Sequence, residues 1–197
     1  MIENGLEGEI VNSWAPELFF DAPEKEFAIV WASTVRGRFP ETAGKGNSEY
    51  NHRLYIIRTR DFKTFTKPEL FLDPGFQVID AAIFRAGKRY AVVAKNETLT
   101  PPAKYLFLTF ADSLRGPWTK PTAPISGNEW AEGPTPVRIG GAWYIYFDKY
   151  RDHRYGVIRS RDLEHWEDLS ARLVFPEGAR HGTVLAIPRA VLRGLER

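Results

Sequence analysis

The chain has 197 residues, a formal net charge of +2, no Cys, and 13 Phe, 8 Tyr and 6 Trp. The missing cysteines exclude a disulfide scaffold, thiol catalysis and thiolate metal sites. No apolar stretch approaches the ~20 residues of a membrane-spanning helix, and the cationic residues form no basic block, so neither a membrane nor a nucleic acid is an expected partner. The start, Met1-Ile2-Glu3-Asn4-Gly5, has no basic or apolar leader; no secretory signal is expected in this chain, and its location stays unknown.

In chain order, the first strand opens at Trp14-Ala15-Pro16-Glu17, turns at Ala22-Pro23-Glu24-Lys25 and returns through Phe27–Trp31. Val35 to Tyr50 then inserts Gly, Pro, Glu, Lys and Asn, which predicts a surface loop that shapes a binding site. Arg53–Ile57 leads to the turn at Asp61. The pattern restarts at Ile79-Asp80-Ala81, with strands at Arg89–Val93 and Tyr105–Leu108, and again at Ala131-Glu132-Gly133-Pro134, with a strand at Trp143–Phe147. His181–Ile187 reads as a further opening strand with no partner after it. The one predicted helix is Pro188 to Leu195, with the proline near its start.

These units repeat. Thr59-Arg60-Asp61-Phe62-Lys63-Thr64-Phe65 matches Ser160-Arg161-Asp162-Leu163-Glu164-His165-Trp166, with a looser copy at Phe110–Trp118. The three Asp stand 51 and 50 residues apart. Each Asp should accept backbone N–H bonds in a turn while the later aromatic packs between units. Four strands per ~50 residues, repeated, predict an all-β propeller. The blades span approximately 13–74, 76–126 and 128–175, with a closing strand at 181–187, in one partial domain over 1–197.

Aligning the opening strands puts Ala15, Asp80, Glu132 and His181 at one equivalent position. Inner strands start near a propeller's axis, so two carboxyls and an imidazole should converge there, where desolvation would be costly without a function or good pairing. Trp14, Phe76 and Trp130 flank these positions and could stack on a sugar ring, and Glu17 could contact a hydroxyl. His52, Lys95, Lys149, His153 and Arg154 fall at matching connections of three units, and this suggests one substrate-binding rim.

The motifs Trp14-Ala15-Pro16-Glu17, Val78-Ile79-Asp80-Ala81, Glu132-Gly133-Pro134 and His181-Gly182-Thr183-Val184 resemble, in order and spacing, those of glycoside hydrolase family 43. The resemblance implies a five-bladed β-propeller, here about three complete blades plus one strand. It implies a carbohydrate partner with α-L-arabinofuranosyl or β-xylosyl linkages, cleaved with inversion. Glu132 resembles the general acid. Asp80 resembles the carboxylate that orients it and raises its pKa. His181 resembles the axial histidine beside a central water or metal, often calcium; no cofactor is required. The family's general base sits on an Asp-Pro opening strand upstream of the Trp-Ala-Pro unit. No such strand precedes Trp14, so the base is unknown and the chain reads as N-terminally incomplete, weakly active or inactive alone. Self-association through the open faces is expected. A non-catalytic carbohydrate-binding propeller is the alternative. A sialidase would need an arginine triad and nucleophilic Tyr, and a fructan-active enzyme an early Asp; neither can be placed.

Overall fold

The computed structural model describes residues 10–176 and 178–195. Its strands form three antiparallel sheets, each ordered as the chain runs. The first holds β1 (Trp14–Asp21), β2 (Glu26–Ser33), β3 (Arg53–Thr59) and β4 (Glu69–Leu72). The second holds β5 (Val78–Ala86), β6 (Arg89–Asn96) and β7 (Leu106–Ala111). The third holds β8 (Glu132–Ile139), β9 (Ala142–Lys149), β10 (Arg154–Ser160) and the two-residue β11 (Glu167–Asp168). A single α-helix, α1 (Arg189–Leu195), follows close to the predicted span.

The middle sheet is buried on both faces. Side chains alternate across a strand, so Val92 and Ala94 of β6 join Val30 and Ile56 of the first sheet in one core. Ala91 and Val93 point the other way and join Ile145 and Phe147 of the third sheet in a second core. That is why β6 reads as an unbroken apolar run. On the first sheet, the face turned away from the second leaves Leu18, Phe20, Phe62 and Leu70 exposed.

Two of the three Asp turns have the expected chemistry; in the third, Ser113 rather than Asp112 takes the turn's N–H groups, its Oγ accepting from Arg115 at 3.1 Å and its carbonyl from Gly116 at 2.9 Å. Asp61 Oδ1 accepts the Lys63 and Thr64 N–H groups, both at 2.8 Å. Asp162 Oδ1 does the same for Glu164 at 2.9 Å and His165 at 2.8 Å. Their aromatics pack onto the preceding sheet's core: Trp118 with Phe71 at 5.2 Å between ring centroids, and Trp166 against the second core. Phe65 is 38% exposed; no described sheet precedes its own.

Two expectations are corrected. The middle unit lacks a fourth strand because Pro121 and Pro124 interrupt it, and proline has no N–H for a ladder. The segment still runs along β7: Thr119, Thr122 and Ile125 donate to Phe110, Leu108 and Leu106 carbonyls at 2.8–2.9 Å. The β7 N–H groups are met by Thr119, Thr122 and Ser126 hydroxyls instead. Second, no strand forms over 181–187, since a strand without a partner has no ladder to join. The 35–50 insertion is the expected surface loop, mostly exposed, and it is clamped to the body. The fully buried Arg53 guanidinium stacks on Phe39 at 4.3 Å and donates to Thr42 Oγ1 and Asp73 Oδ1 at 2.9 and 2.5 Å. Leu99 and Thr100 N–H groups reach the Lys45 carbonyl at 2.7 and 3.1 Å.

Candidate active site

The innermost strands lie side by side, β1 against β5 and β5 against β8. Each carries a one-step register shift at its start, between Trp14 and Glu17, Ile79 and Ala82, and Glu132 and Thr135. Such a bulge re-aims side chains next to a site. Its first residue is left-handed in all three: Ala15 at φ 48°, Asp80 at 52°, Gly133 at 57°. The structural equivalent of Asp80 is therefore Gly133, and Glu132 stands one place earlier, beside Ile79 and Trp14. The sequence alignment of Glu132 with Asp80 is off by one. The proline shared by Trp14-Ala15-Pro16 and Glu132-Gly133-Pro134 was the signal that would have set it right.

The bulge nevertheless brings the acids together. One carboxylate oxygen each from Asp80 and Glu132 and one His181 nitrogen lie within 4.8 Å of one another. Asp80 Oδ2 accepts the Gly133 N–H at 3.0 Å. His181 Nε2 is 3.5 Å from that oxygen and 3.7 Å from Glu132 Oε1, and its Nδ1 is 3.5 Å from Asp148 Oδ2. Gly133 is required here: a Cβ on it would sit 2.2 Å from His181 Cδ2. The 181–184 segment is held by the Val184 N–H on Thr135 Oγ1 at 2.9 Å.

Cations balance these carboxylates. Lys95 Nζ lies 2.9 Å from Glu132 Oε2 and 2.7 Å from Glu97 Oε2. Lys104 Nζ reaches Glu97 Oε1 at 2.6 Å, and Arg180 Nε reaches the buried Asp148 at 2.6 Å. Burial acts to raise the Asp80 pKa, but the His181 bond, the Lys95 charge and the Gly133 N–H outweigh it and hold the carboxyl down. The bond to Asp80 pushes His181 up; burial opposes this, and the Asp80, Glu132 and Asp148 charges add to it. Burial also raises the carboxyl of Glu17, which lines a cavity of about 250 Å³ with Asp80, Gly133, His181 and Thr183.

The donor set does not fit calcium, which takes six to eight oxygen ligands. Two carboxylates and an imidazole converge here, and Lys95 already bonds one of the carboxylates.

The expected rim divides. Trp14 is 40% exposed and packs, tilted by 56°, against Tyr50 of the insertion at 4.6 Å between ring centroids, a partner that sequence reasoning missed. His52 is fully buried beneath them, and Lys95 is only 2% exposed and committed to the two glutamates. Phe76 packs edge-on against Phe107 in the first core. Lys149, His153 and Arg154 line a separate cavity of about 480 Å³ on the third sheet. The rim reading failed for buried His52 and Lys95 because strand-end position does not reveal burial.

His52 also sets an acid sensitivity. Asn12 Oδ1 accepts the Thr34 N–H at 3.0 Å, so its Nδ2 donates to His52 Nε2 at 3.1 Å and the ring stays neutral. Burial, outweighing the pull of Glu97 and Asp80, lowers the His52 pKa to about 4. Between that value and the unfolded value near 6.5, only the unfolded chain binds the proton, so stability falls as pH falls. The loss should approach about 3 kcal/mol by pH 4. Urea unfolding from pH 7 to 4 measures it, and His52→Gln should flatten that part of the profile.

Three propeller-like sheets bring two carboxylates, at the starts of the inner strands β5 and β8, against an imidazole from the irregular segment after the third sheet. Residues 4–192 match the family described as "Probable glycosyl hydrolase domain", and the chain belongs to that family, related to glycoside hydrolase family 43. An alpha-L-arabinofuranosidase of Bifidobacterium longum subsp. longum is 29% identical over 119 residues, covering 55% of this chain and 11% of that protein. A family 117 glycoside hydrolase from Zobellia galactanivorans shares the fold at TM-score 0.65 and 13% identity, over 85% of this chain and 58% of that one. An alpha-L-arabinofuranosidase from Lactobacillus brevis does so at TM-score 0.59 and 18% identity, over 83% and 56%. The chain thus spans less than two thirds of each of these proteins.

Proposed function

We propose that the chain is the acid-bearing part of a five-bladed propeller glycosidase, acting with inversion on terminal α-L-arabinofuranosyl or β-xylosyl residues of a plant-type polysaccharide. Glu132 is the general acid, and Asp80 orients the site around it. The observation that carries this reading is the convergence of Asp80, Glu132 and His181, with oxygens of the two acids within 4.8 Å of each other. Inversion needs ~6.5–9.5 Å between acid and base for the attacking water, whereas ~5–5.5 Å is the spacing of a retaining acid and nucleophile. On the inverting reading, Asp80 is the acid's neighbour and the base is a third carboxylate. Among the described residues, Asp148 is excluded by its burial under Arg180, and Glu97 by its two lysines.

One observation favours a second reading, a non-catalytic carbohydrate-binding domain. Glu132 is tied to the Lys95 ammonium at 2.9 Å, so that oxygen is committed to a structural ion pair rather than free to meet a glycosidic oxygen. Nitrophenyl arabinofuranoside and xyloside assays separate the two. The first reading expects slow turnover that falls about 100-fold or more in Glu132→Gln, with the smallest loss on the best leaving group. Sugar binding that survives Glu132→Gln, with no hydrolysis by either protein, would establish the second.

A further inference from the structure

Beside Trp130 lies a groove of about 560 Å³, and none of the residues lining it is charged. Asn96, Pro101 and Pro102 form one wall, Pro124 and Asn128 the other, with Tyr105 and Trp130 between them. Both walls are fixed to β7 or its approach. Ala103 N–H bonds the Thr98 carbonyl at 3.0 Å, and Asn96 N–H bonds the Tyr105 carbonyl at 2.9 Å. Opposite them, Ile125 N–H bonds the Leu106 carbonyl at 2.9 Å. The cleft is therefore pre-formed, which limits the ordering cost of binding.

Its polar groups have a set polarity. The Thr98 N–H occupies Asn96 Oδ1 at 2.9 Å, so Asn96 Nδ2 donates to the Tyr105 hydroxyl at 3.1 Å. The phenol accepts there and keeps its own proton to donate to a ligand. Arg151 stacks on Trp130 at 4.2 Å, and Tyr150 lies 6.0 Å from it, so the indole is braced. Tyr150 also covers Lys95 Nζ at 4.6 Å, the group bonded to Glu132. The groove thus adjoins the proposed acid through packed side chains, and Trp130 is two residues from Glu132 in sequence.

Flat apolar rings and prolines for C–H faces, with amides and a phenol for hydroxyls, suit a sugar chain. No charged residue lines the groove, and Arg151 and Lys104 reach it only through the Trp130 ring, which suits a neutral chain. We propose that this groove binds the units of a neutral oligosaccharide beyond the bond at Glu132, so that the chain recognises a polymer end rather than an isolated terminal sugar. This rests on the glycosidase reading above.

Calorimetric titration of the full chain with arabinose, xylose and their neutral oligomers, from disaccharide to pentasaccharide, tests it. Affinity should rise with length, and Trp130→Ala should remove about tenfold of that gain. Asn128→Ala, at an exposed position, should do the same more weakly and guards against misfolding of the tryptophan variant. Affinity that is flat with length, or a gain that survives both substitutions, overturns the groove and leaves the glycosidase reading standing. Tighter binding of uronic-acid oligomers than neutral ones also overturns it. Failure of every sugar, monomer and oligomer alike, rejects both.

Discussion

Replacing Lys95 with Met should destabilise the fold by about 3–5 kcal/mol, the range for breaking a buried ion pair by removing one partner. The side chain is 2% exposed and lies between Glu97 and Glu132 at 2.7 and 2.9 Å. Burial alone would lower its pKa, but the two carboxylates overcome that and raise it above the ordinary lysine range. The part of the contribution linked to the lysine's own proton is therefore complete below the unfolded value of ~10.4 and is lost as pH rises through the higher folded value. Glu97 would keep Lys104 at 2.6 Å, so the uncompensated charge would be mainly on Glu132. The double variant Lys95→Met/Glu132→Gln should accordingly recover a large part of the loss. Urea unfolding of the two proteins measures this; a single-variant loss below about 1 kcal/mol, the level of a surface pair, would show that the lysine is not held as the geometry requires.

Gly133→Ala should disrupt the site more than any other single methyl group. The new Cβ would lie 2.2 Å from His181 Cδ2, and the residue sits at φ 57°. The backbone penalty alone is about 1–2 kcal/mol. Moving the imidazole away also gives up its approach to Asp80 and Asp148, both at 3.5 Å. Gly182→Ala is the matched control. Its Cβ would meet nothing nearer than Tyr155 Oη at 3.7 Å, so stability should stay within about 0.5 kcal/mol. Thermal unfolding gives the first comparison. The His181 imidazole resonances, read by NMR, give the second: they should shift in Gly133→Ala and hold in Gly182→Ala.

Local chemistry was the most legible part of the fold. The Asp61 and Asp162 turns, the apolar run of β6 and the convergence of Asp80, Glu132 and His181 all follow from short stretches of residues. The register did not. A bulge adds a residue without leaving a gap, so Glu132 seemed level with Asp80 when Gly133 is its true equivalent. The repeat implied a fourth strand in the middle unit, but Pro121 and Pro124 cannot join a ladder, and Thr119 and Thr122 hydroxyls stand in for the missing partners. His181–Ile187 read as a strand because periodicity is intrinsic to a sequence, whereas pairing needs a neighbour.

From composition to repeats, the amino-acid order by itself determined an all-β chain of ~50-residue units with acids on their opening strands. That much is local, since strand periodicity and turn bonding act over a few residues. Only the tertiary structure decided which charges are free. Lys95 and His52 look like rim groups until neighbouring sheets bury them, one as a counter-ion to Glu132 and one as a neutral ring. Burial and pairing depend on residues tens of positions away, and packing alone brings those residues within bonding distance.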